Sequence, residues 1–360
     1  MSITRLLVNR SKFDQTKIVQ RDGRALAAGE VLAKVVDFAL TANNITYAVA
    51  GDMIGYWKFF PEDDNEWGVV PVWGFAEVIE SRCDEVTVGE RFWGFLPMAS
   101  HVVMTPVNVR DRGFVDGAQH RGALPVIYND YVRTTNDSPE LAAISDQRSL
   151  LFPLLTTSYL IADYLSDNAD LAFDQVIIGS ASSKTGFGTA HYIGQLENRP
   201  AKIIGLTSPG NKEFTTSLGL YDDVISYSDV AQLDATMASV YIDMSGDGTV
   251  LSAVHTHFGD QLKASIGVGV THWEAPRNQA ELPGPKPEFF FAPSQIVKRN
   301  AQWGPGVLMG KAQVANTAFI ATLGHHLTVS HHQGAEAVKA SYEAMVSGAT
   351  SPTQGIICAF

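Results

Sequence analysis

The chain has 360 residues, 45% of them apolar and 18% charged, which is enough for a large core and excludes a disordered or coiled-coil protein. Lys and Arg number 26 against 38 Asp and Glu, a net charge of −12 that disfavours nucleic acid and anionic membranes as partners. Only Cys83 and Cys358 occur, so neither a disulfide framework nor a four-thiolate zinc site can be built.

No apolar run reaches the roughly 20 residues of a lipid span, and MSITRLLVNRSKFDQ at the start lacks the apolar core of a secretory signal. A cytoplasmic protein of about two domains is the expectation. Residues 1–125 read as short strands broken by Gly and Pro. Segments 30–37 (EVLAKVVD), 69–81 (VVPVWGFAEVIES), 90–95 and 102–109 have the apolar, β-branched character of strands. From about residue 139 the pattern alternates. A helix at 153–163 precedes a strand at 174–178, a helix at 186–197, a strand at 202–207 and a helix at 211–218. Further strands are expected at 223–225, 239–243 and 265–270. Such alternation predicts βαβ units with right-handed crossovers and a parallel sheet.

Segment 279–287 (QAELPGPKP) is expected as an exposed loop. Helices follow at 293–298, 310–323 and 332–346, the last with Val338, Tyr342 and Met345 on one face. A strand at 355–360 ends the pattern. The run GHHLTVSHHQG holds His325, His326, His331 and His332, yet it lacks the i, i+4 spacing and neighbouring acids of a zinc site. It reads as a solvated loop before the last helix. His255, His257 and His272 carry no motif, although His272 follows a strand whose end should face a cofactor. No metal is expected.

The stretch VIIGSASSKTGFGTAHYI (176–193) runs from a short apolar strand through a turn of small residues into a helix. Such a turn aims backbone N–H groups and a helix N-terminus at phosphate. Candidate contacts are Ser180, Ser182, Ser183, Lys184 and Thr185, with Gly186 allowing close packing of helix on strand. Lys184-Thr185 also suggests a P-loop, but the spacing is one residue short and Ser183 stands where that loop needs Gly. The next strand settles the choice. After KIIGLTS an Asp or Glu would bind the ribose of NAD, whereas this chain offers Thr207, Ser208, Asn211 and Lys212, which suit the extra phosphate of NADP. Asp243 closes the apolar strand SVYID and completes the candidate cofactor set.

Five segments in order resemble the zinc-free medium-chain dehydrogenase/reductases, the quinone oxidoreductase-like and enoyl reductase-like members. They are 29–52, 71–95, 150–165, the βαβ stretch 176–227, and GAEAVKASYEAMVSG with GIICAF near the end. The resemblance implies a GroES-like β-rich domain over 1–150 and 300–360 and a Rossmann NADP-binding domain over 151–299. It implies NADPH-dependent reduction of an activated C=C (enone or enoyl) or a quinone. The partner is then a small-molecule substrate, with pairing into a homodimer through edge strands of the cofactor domain.

Departures from the zinc-dependent relatives are clear. Asn43 and Asn44 stand near the position of a ligand Cys, and Trp73 stands at that of a His. Hydrogen bonds must then polarise the substrate carbonyl in place of a Lewis acid. In such relatives the cleft is lined by a loop corresponding to 43–68, which here carries Tyr47, Tyr56, Trp57, Phe59 and Phe60. Tyr47 or Tyr56 is the candidate donor, with Asn43, Asn44 or Ser158 touching the nicotinamide amide or the substrate oxygen. The same aromatics also suit an ordinary core. Metal-free carbonyl or alcohol chemistry, a lyase or hydratase using the nicotinamide transiently, and NADPH binding without catalysis are the alternatives.

Overall fold

Alternating apolar residues in the first part of the chain become strands that bury one face. In the computed structural model, which describes residues 1–168, 171–269, 282–324 and 326–360, Ser2–Asn9 pairs antiparallel with Thr16–Asp22 and with Trp67–Gly68. A larger sheet has the order Thr328–Gln333, Gln354–Ala359, Val31–Leu40, Pro71–Ser81, Arg91–Pro97, Asp130–Arg133, Gly113–Asp116, Pro106–Arg110. His101–Met104 adds to it against Val31–Leu40. These strands run antiparallel except the first two, which are parallel. Leu6, Val31, Phe38, Val78, Phe92 and Phe95 fill the core between them.

The floor of this unit holds charge. Arg121 and Asp116 are both buried and lie 3.3 Å apart. Asp116 also accepts from the Thr105 and Ala118 amides, and Arg121 donates to the Tyr131 hydroxyl at 2.9 Å. The guanidinium sits over the rings of Phe60 and Phe59 at 4.7 and 5.7 Å. Dense hydrogen bonding and ring contact are what make such a buried ion tolerable.

The second unit is α/β. Its parallel sheet has the order Asp223–Ser226, Lys202–Thr207, Gln175–Gly179, Ser239–Asp243, Leu262–Gly267, Glu288–Phe289. Numbered along the chain this is 3-2-1-4-5-6, the doubly wound arrangement in which the order reverses beside the first strand. Helices Lys184–Gly194 and Gly248–Phe258 follow the first and fourth strands.

The chain divides into Met1–Leu150 with Leu327–Phe360, and Leu151–His326. The return to the first unit therefore comes later than residue 300. Helices Ala292–Trp303 and Val307–Thr322 stay in the second unit, where Arg299 grips Asp163 through both carboxylate oxygens at 2.7 and 2.9 Å. Three further expectations change. The helix foreseen from Pro153 spans Ser145–Asp167 and carries the proline inside. Segment 43–58 is not a loop: Asn43–Val49 and Gly51–Ile54 are short helices and Tyr56–Lys58 is a 3-10 turn. The histidine run is not a solvated loop either, because Thr328–Gln333 is a strand whose amides pair with Gln354–Ala359.

His331 meets Asp146 at 2.9 Å, and His332 bonds Ser341 and Ser330. Both thiols are free, as expected of two lone cysteines. Among the described residues no helix is long and apolar enough to cross a membrane. His325, His272, the end of the expected strand 265–270 and the start of the loop 279–287 lie outside the described residues.

Removing Arg121 leaves Asp116 buried without its counter-ion. Arg121→Ala should cost about 3–5 kcal/mol in chemical denaturation, as expected for breaking a buried pair. A loss below about 1 kcal/mol would show that Asp116 is satisfied by its two amide donors alone.

Candidate functional site

In the second unit the turn after Gln175–Gly179 is shaped by backbone demands. Ser180 adopts φ +53°, a left-handed conformation that is uncommon outside Gly. Ser183 then caps the helix Lys184–Gly194, its Oγ accepting from the Gly186 amide at 3.1 Å. A Cβ on Gly186 would stand 2.7 Å from the Ser180 carbonyl oxygen. This is the close approach that the sequence assigns to that glycine.

Ser182 is buried and ties the turn to the end of the neighbouring strand. Its Oγ lies 3.2 Å from Thr207 Oγ1 and 3.3 Å from Asn211 Nδ2. Thr207 is buried, Ser208 half-buried and Lys212 exposed. Ser180, Ser182, Ser183, Thr207 and Asn211 thus form one cluster at the carboxyl ends of two adjacent strands. Half-buried Lys184 opens the helix, and desolvation lowers its pKa to about 8.

Asp243 belongs to its own turn, where Oδ1 accepts from the Ser245 amide at 2.9 Å, the Gly246 amide at 3.0 Å and the Ser245 hydroxyl at 3.0 Å. Burial raises its pKa. Ser158 is buried under the same region, its Oγ 2.8 Å from the Thr185 carbonyl and 3.0 Å from that of Leu154. That hydroxyl spends its proton on the scaffold.

One residue here escaped the sequence reading. Tyr227 follows the third strand and hydrogen-bonds Ser180. It also lines a groove of about 860 Å³ together with Val230, Gly248, Thr249, Ser252 and His257. Its signal was its place, directly after an apolar strand in a βαβ register.

In the first unit the expected aromatics do come together. The Tyr47 and Tyr56 rings are 4.6 Å apart, and Phe95 meets Tyr47, Phe59 and Trp73 at 5.2–5.4 Å. Trp73 Nε1 donates to the Tyr47 hydroxyl at 3.1 Å, and Asn43 also bonds that hydroxyl. Asn44 is structural: its Nδ2 donates to the Pro71 carbonyl at 2.9 Å. The Tyr56 hydroxyl lies 3.0 Å from that of Tyr128, a residue the sequence reading passed over. Burial raises the pKa of all three phenols, so they remain protonated donors across the neutral range. Among the described residues no three His, Cys, Asp or Glu side chains are grouped to hold a metal ion.

A GroES-like β unit with a doubly wound Rossmann unit is the architecture of the medium-chain dehydrogenase/reductases, and the solved structures agree. CurA from Vibrio vulnificus in complex with NADPH shares the fold at a TM-score of 0.63 and 14% identity, over 99% of this chain and 98% of that one. A mutant enoyl thioester reductase from Candida tropicalis matches at 0.57 and 12% identity, over 100% of both chains. The complex of Etr1p with NADP and crotonyl-CoA matches at 0.56 and 12% identity, again over 100% of both. At such identities the likeness defines the fold. No curated protein matches the sequence. Residues 38–351 match a family described as "Protein of unknown function (DUF2855)", and the chain belongs to that family.

Gly186 gives the most direct test of the turn. Gly186→Ala should cost about 1–3 kcal/mol, because helix or turn must shift to admit the methyl group. Equal stability of the variant by thermal and chemical unfolding would mean that the turn is not tightly packed.

Proposed function

We propose that the chain is an NADPH-dependent oxidoreductase that reduces an activated C=C, enone or enoyl, or a quinone, without a metal ion. One observation carries the cofactor assignment. The strand Lys202–Thr207 ends in the tied hydroxyl and amide cluster Thr207–Ser182–Asn211, with Ser208 and exposed Lys212 beside it, and the strand end itself carries a hydroxyl where NAD would want an acid. Hydroxyls and an ammonium favour a 2′-phosphate, whereas NAD would lack its carboxylate partner.

Ser180, Ser183, Lys184 and Thr185 surround the helix start, where a diphosphate is favoured. Gly186 permits that geometry, and Asp243 supports it by holding the turn after the fourth strand. The groove beside Tyr227 has the volume for a nucleoside. The cofactors in the CurA and Etr1p structures support the same reading, as does the crotonyl-CoA of the latter.

Bound NADPH would supply a hydride. The substrate oxygen then needs a hydrogen-bond donor, and the phenols Tyr47 and Tyr56, with Asn43 beside them, are the groups of this chain suited to it. Ser158 positions the Rossmann turn through the Thr185 carbonyl. The flat aromatic surroundings suit a conjugated substrate. Self-association through an edge strand of the parallel sheet, Asp223–Ser226 or Glu288–Phe289, is part of the proposal, and sedimentation velocity tests it.

NADPH should bind at least about tenfold more tightly than NADH, since each charge-assisted hydrogen bond to the 2′-phosphate is worth roughly 1.5–3 kcal/mol. Lys212→Ala should erase most of the preference in a fluorescence titration. Equal wild-type affinities would remove the assignment. A screen of enones, quinones and aldehydes for NADPH oxidation then tests turnover.

The Lys184 ammonium adds a pH dependence. Its pKa of about 8 means that before NADPH binds the ammonium is mostly charged below pH 8 and mostly neutral above it. An anion binds the charged form, so NADPH binding above pH 8 must take up a proton. Its Kd should therefore rise between pH 8 and pH 9, by up to about tenfold. Calorimetry in buffers of different ionisation enthalpy reads the proton directly. Lys184→Met should remove the uptake, and a pH-independent Kd in wild type would place Lys184 away from the phosphates. For the metal, elemental analysis should find no stoichiometric zinc, and chelators should leave turnover unchanged.

A further inference from the structure

Within the second unit, the turn after Gln175–Gly179 is held from across its neighbouring strand. Tyr221 stands two residues before Asp223–Ser226, and Lys202–Thr207 lies between that strand and Gln175–Gly179. The Tyr221 hydroxyl nevertheless donates to the Ala181 carbonyl at 2.8 Å. A Cβ on Gly205 would stand 3.1 Å from Tyr221 Cδ1 and 3.0 Å from Ala181 Cβ, so the ring reaches the turn over the gap this glycine leaves. The next residue is anchored too. Asp222 accepts from the Ile203 amide at 2.7 Å and takes Arg199 at 2.6 and 2.8 Å.

That grip offsets strain. Ser180 has φ +53°, which a residue with a Cβ adopts at a cost, so the turn needs outside support to keep its shape. Ala181 is buried and its amide donates to the Leu206 carbonyl at 2.9 Å, while its carbonyl takes the phenol. A carbonyl only accepts, so Tyr221 is the donor. Burial holds its hydroxyl well above the ordinary phenol range, and it keeps its proton. In the shape so held, the Ser182 and Thr185 amides donate to no other group among the described residues. Such amides at a helix start suit a diphosphate.

We propose that Tyr221 is a positioning residue for the diphosphate of a dinucleotide, which holds the turn 180–183 in its binding shape through the Ala181 carbonyl before the ligand arrives. This rests on the cofactor reading above. No contact between the phenol and the ligand is required. A turn that keeps its binding shape only part of the time lowers the apparent affinity by that fraction. Every group involved belongs to the second unit.

The test is calorimetry on the full chain, wild type and Y221F, with NADPH, NADH, inorganic pyrophosphate and adenosine 2′-monophosphate. Loss of one hydrogen bond should weaken the three diphosphate ligands about fivefold each. Adenosine 2′-monophosphate, which has no diphosphate, should bind as before. Lys212→Ala should show the reverse pattern, weakening NADPH and adenosine 2′-monophosphate but neither NADH nor pyrophosphate. 4-Aminophenylalanine at position 221 restores a donor and should recover most of the affinity. No loss in Y221F, an equal loss for all four ligands, or no recovery with the amino group overturns the proposal.

Pyrophosphate separates the proposal from the cofactor reading. If it binds Y221F more weakly while wild type takes neither NADPH nor NADH, the cofactor reading falls and the role of Tyr221 stands. If wild type binds none of the diphosphate ligands, both fall. Should Y221F fail to fold, 3,5-difluorotyrosine at position 221 keeps the ring and acidifies the hydroxyl. The variant should then lose pyrophosphate at lower pH than wild type, and an unmoved pH profile overturns the assignment.

Discussion

A missing Cβ at residue 186 lets the helix Lys184–Gly194 begin against the turn that feeds it. With a methyl group there, 2.7 Å from the Ser180 carbonyl oxygen, cap and turn could not coexist as they do. The strained φ of Ser180, the Ser183 cap and the tie from Ser182 to Thr207 and Asn211 all follow from that approach. Two residues on, a Cβ at Gly188 would stand 2.6 Å from Leu155 and 2.7 Å from Ser158 Oγ, so the helix Ser145–Asp167 packs equally close. Two glycines two residues apart thus bring three elements together at the carboxyl edge of the sheet. The hydroxyls gathered there are a result of packing before they are a matter of chemistry.

The first unit solves a different problem. Its aromatic cluster is anchored at one end by a buried guanidinium and carboxylate, Arg121 and Asp116, and passes through Phe59, Phe60 and Phe95 to the phenols. Rings whose faces attract a cation on one side and whose hydroxyls pair on the other need little backbone polarity around them. Phe59, Phe60 and Phe95 accordingly form a buried apolar layer beside Tyr56 and Tyr47. Its cost is sensitivity, because each ring is held by several others rather than by one partner.

Much of this could be read from the sequence. Apolar strands alternating with helices gave the parallel sheet, and the residues at the end of KIIGLTS are the ones the fold gathers beside Ser182. What stayed hidden depended on long-range pairing. Strand Thr16–Asp22 (TKIVQRD) is too polar to announce itself and forms because Ser2–Asn9 offers it an edge. Thr328–Gln333, with two histidines, becomes a strand only beside Gln354–Ala359. Pro153 imitates a helix start because proline favours a first turn, yet the preceding residues are already helical. The contact between the Tyr56 and Tyr128 hydroxyls was equally hidden, because the two residues stand 72 positions apart.

The large sheet also sets an order of events during synthesis. Its strand Val31–Leu40 takes Gln354–Ala359 as a neighbour, so one edge partner arrives more than three hundred residues after the strand it joins. The unit Leu151–His326, by contrast, is continuous in sequence and needs no segment made later than its own last helix. Since domains fold as units while the chain grows, the inserted unit can complete its core on the ribosome, and the unit that encloses it in sequence finishes last. Until then the strand Val31–Leu40 presents open backbone amides along that edge, the kind of exposure that chaperones cover.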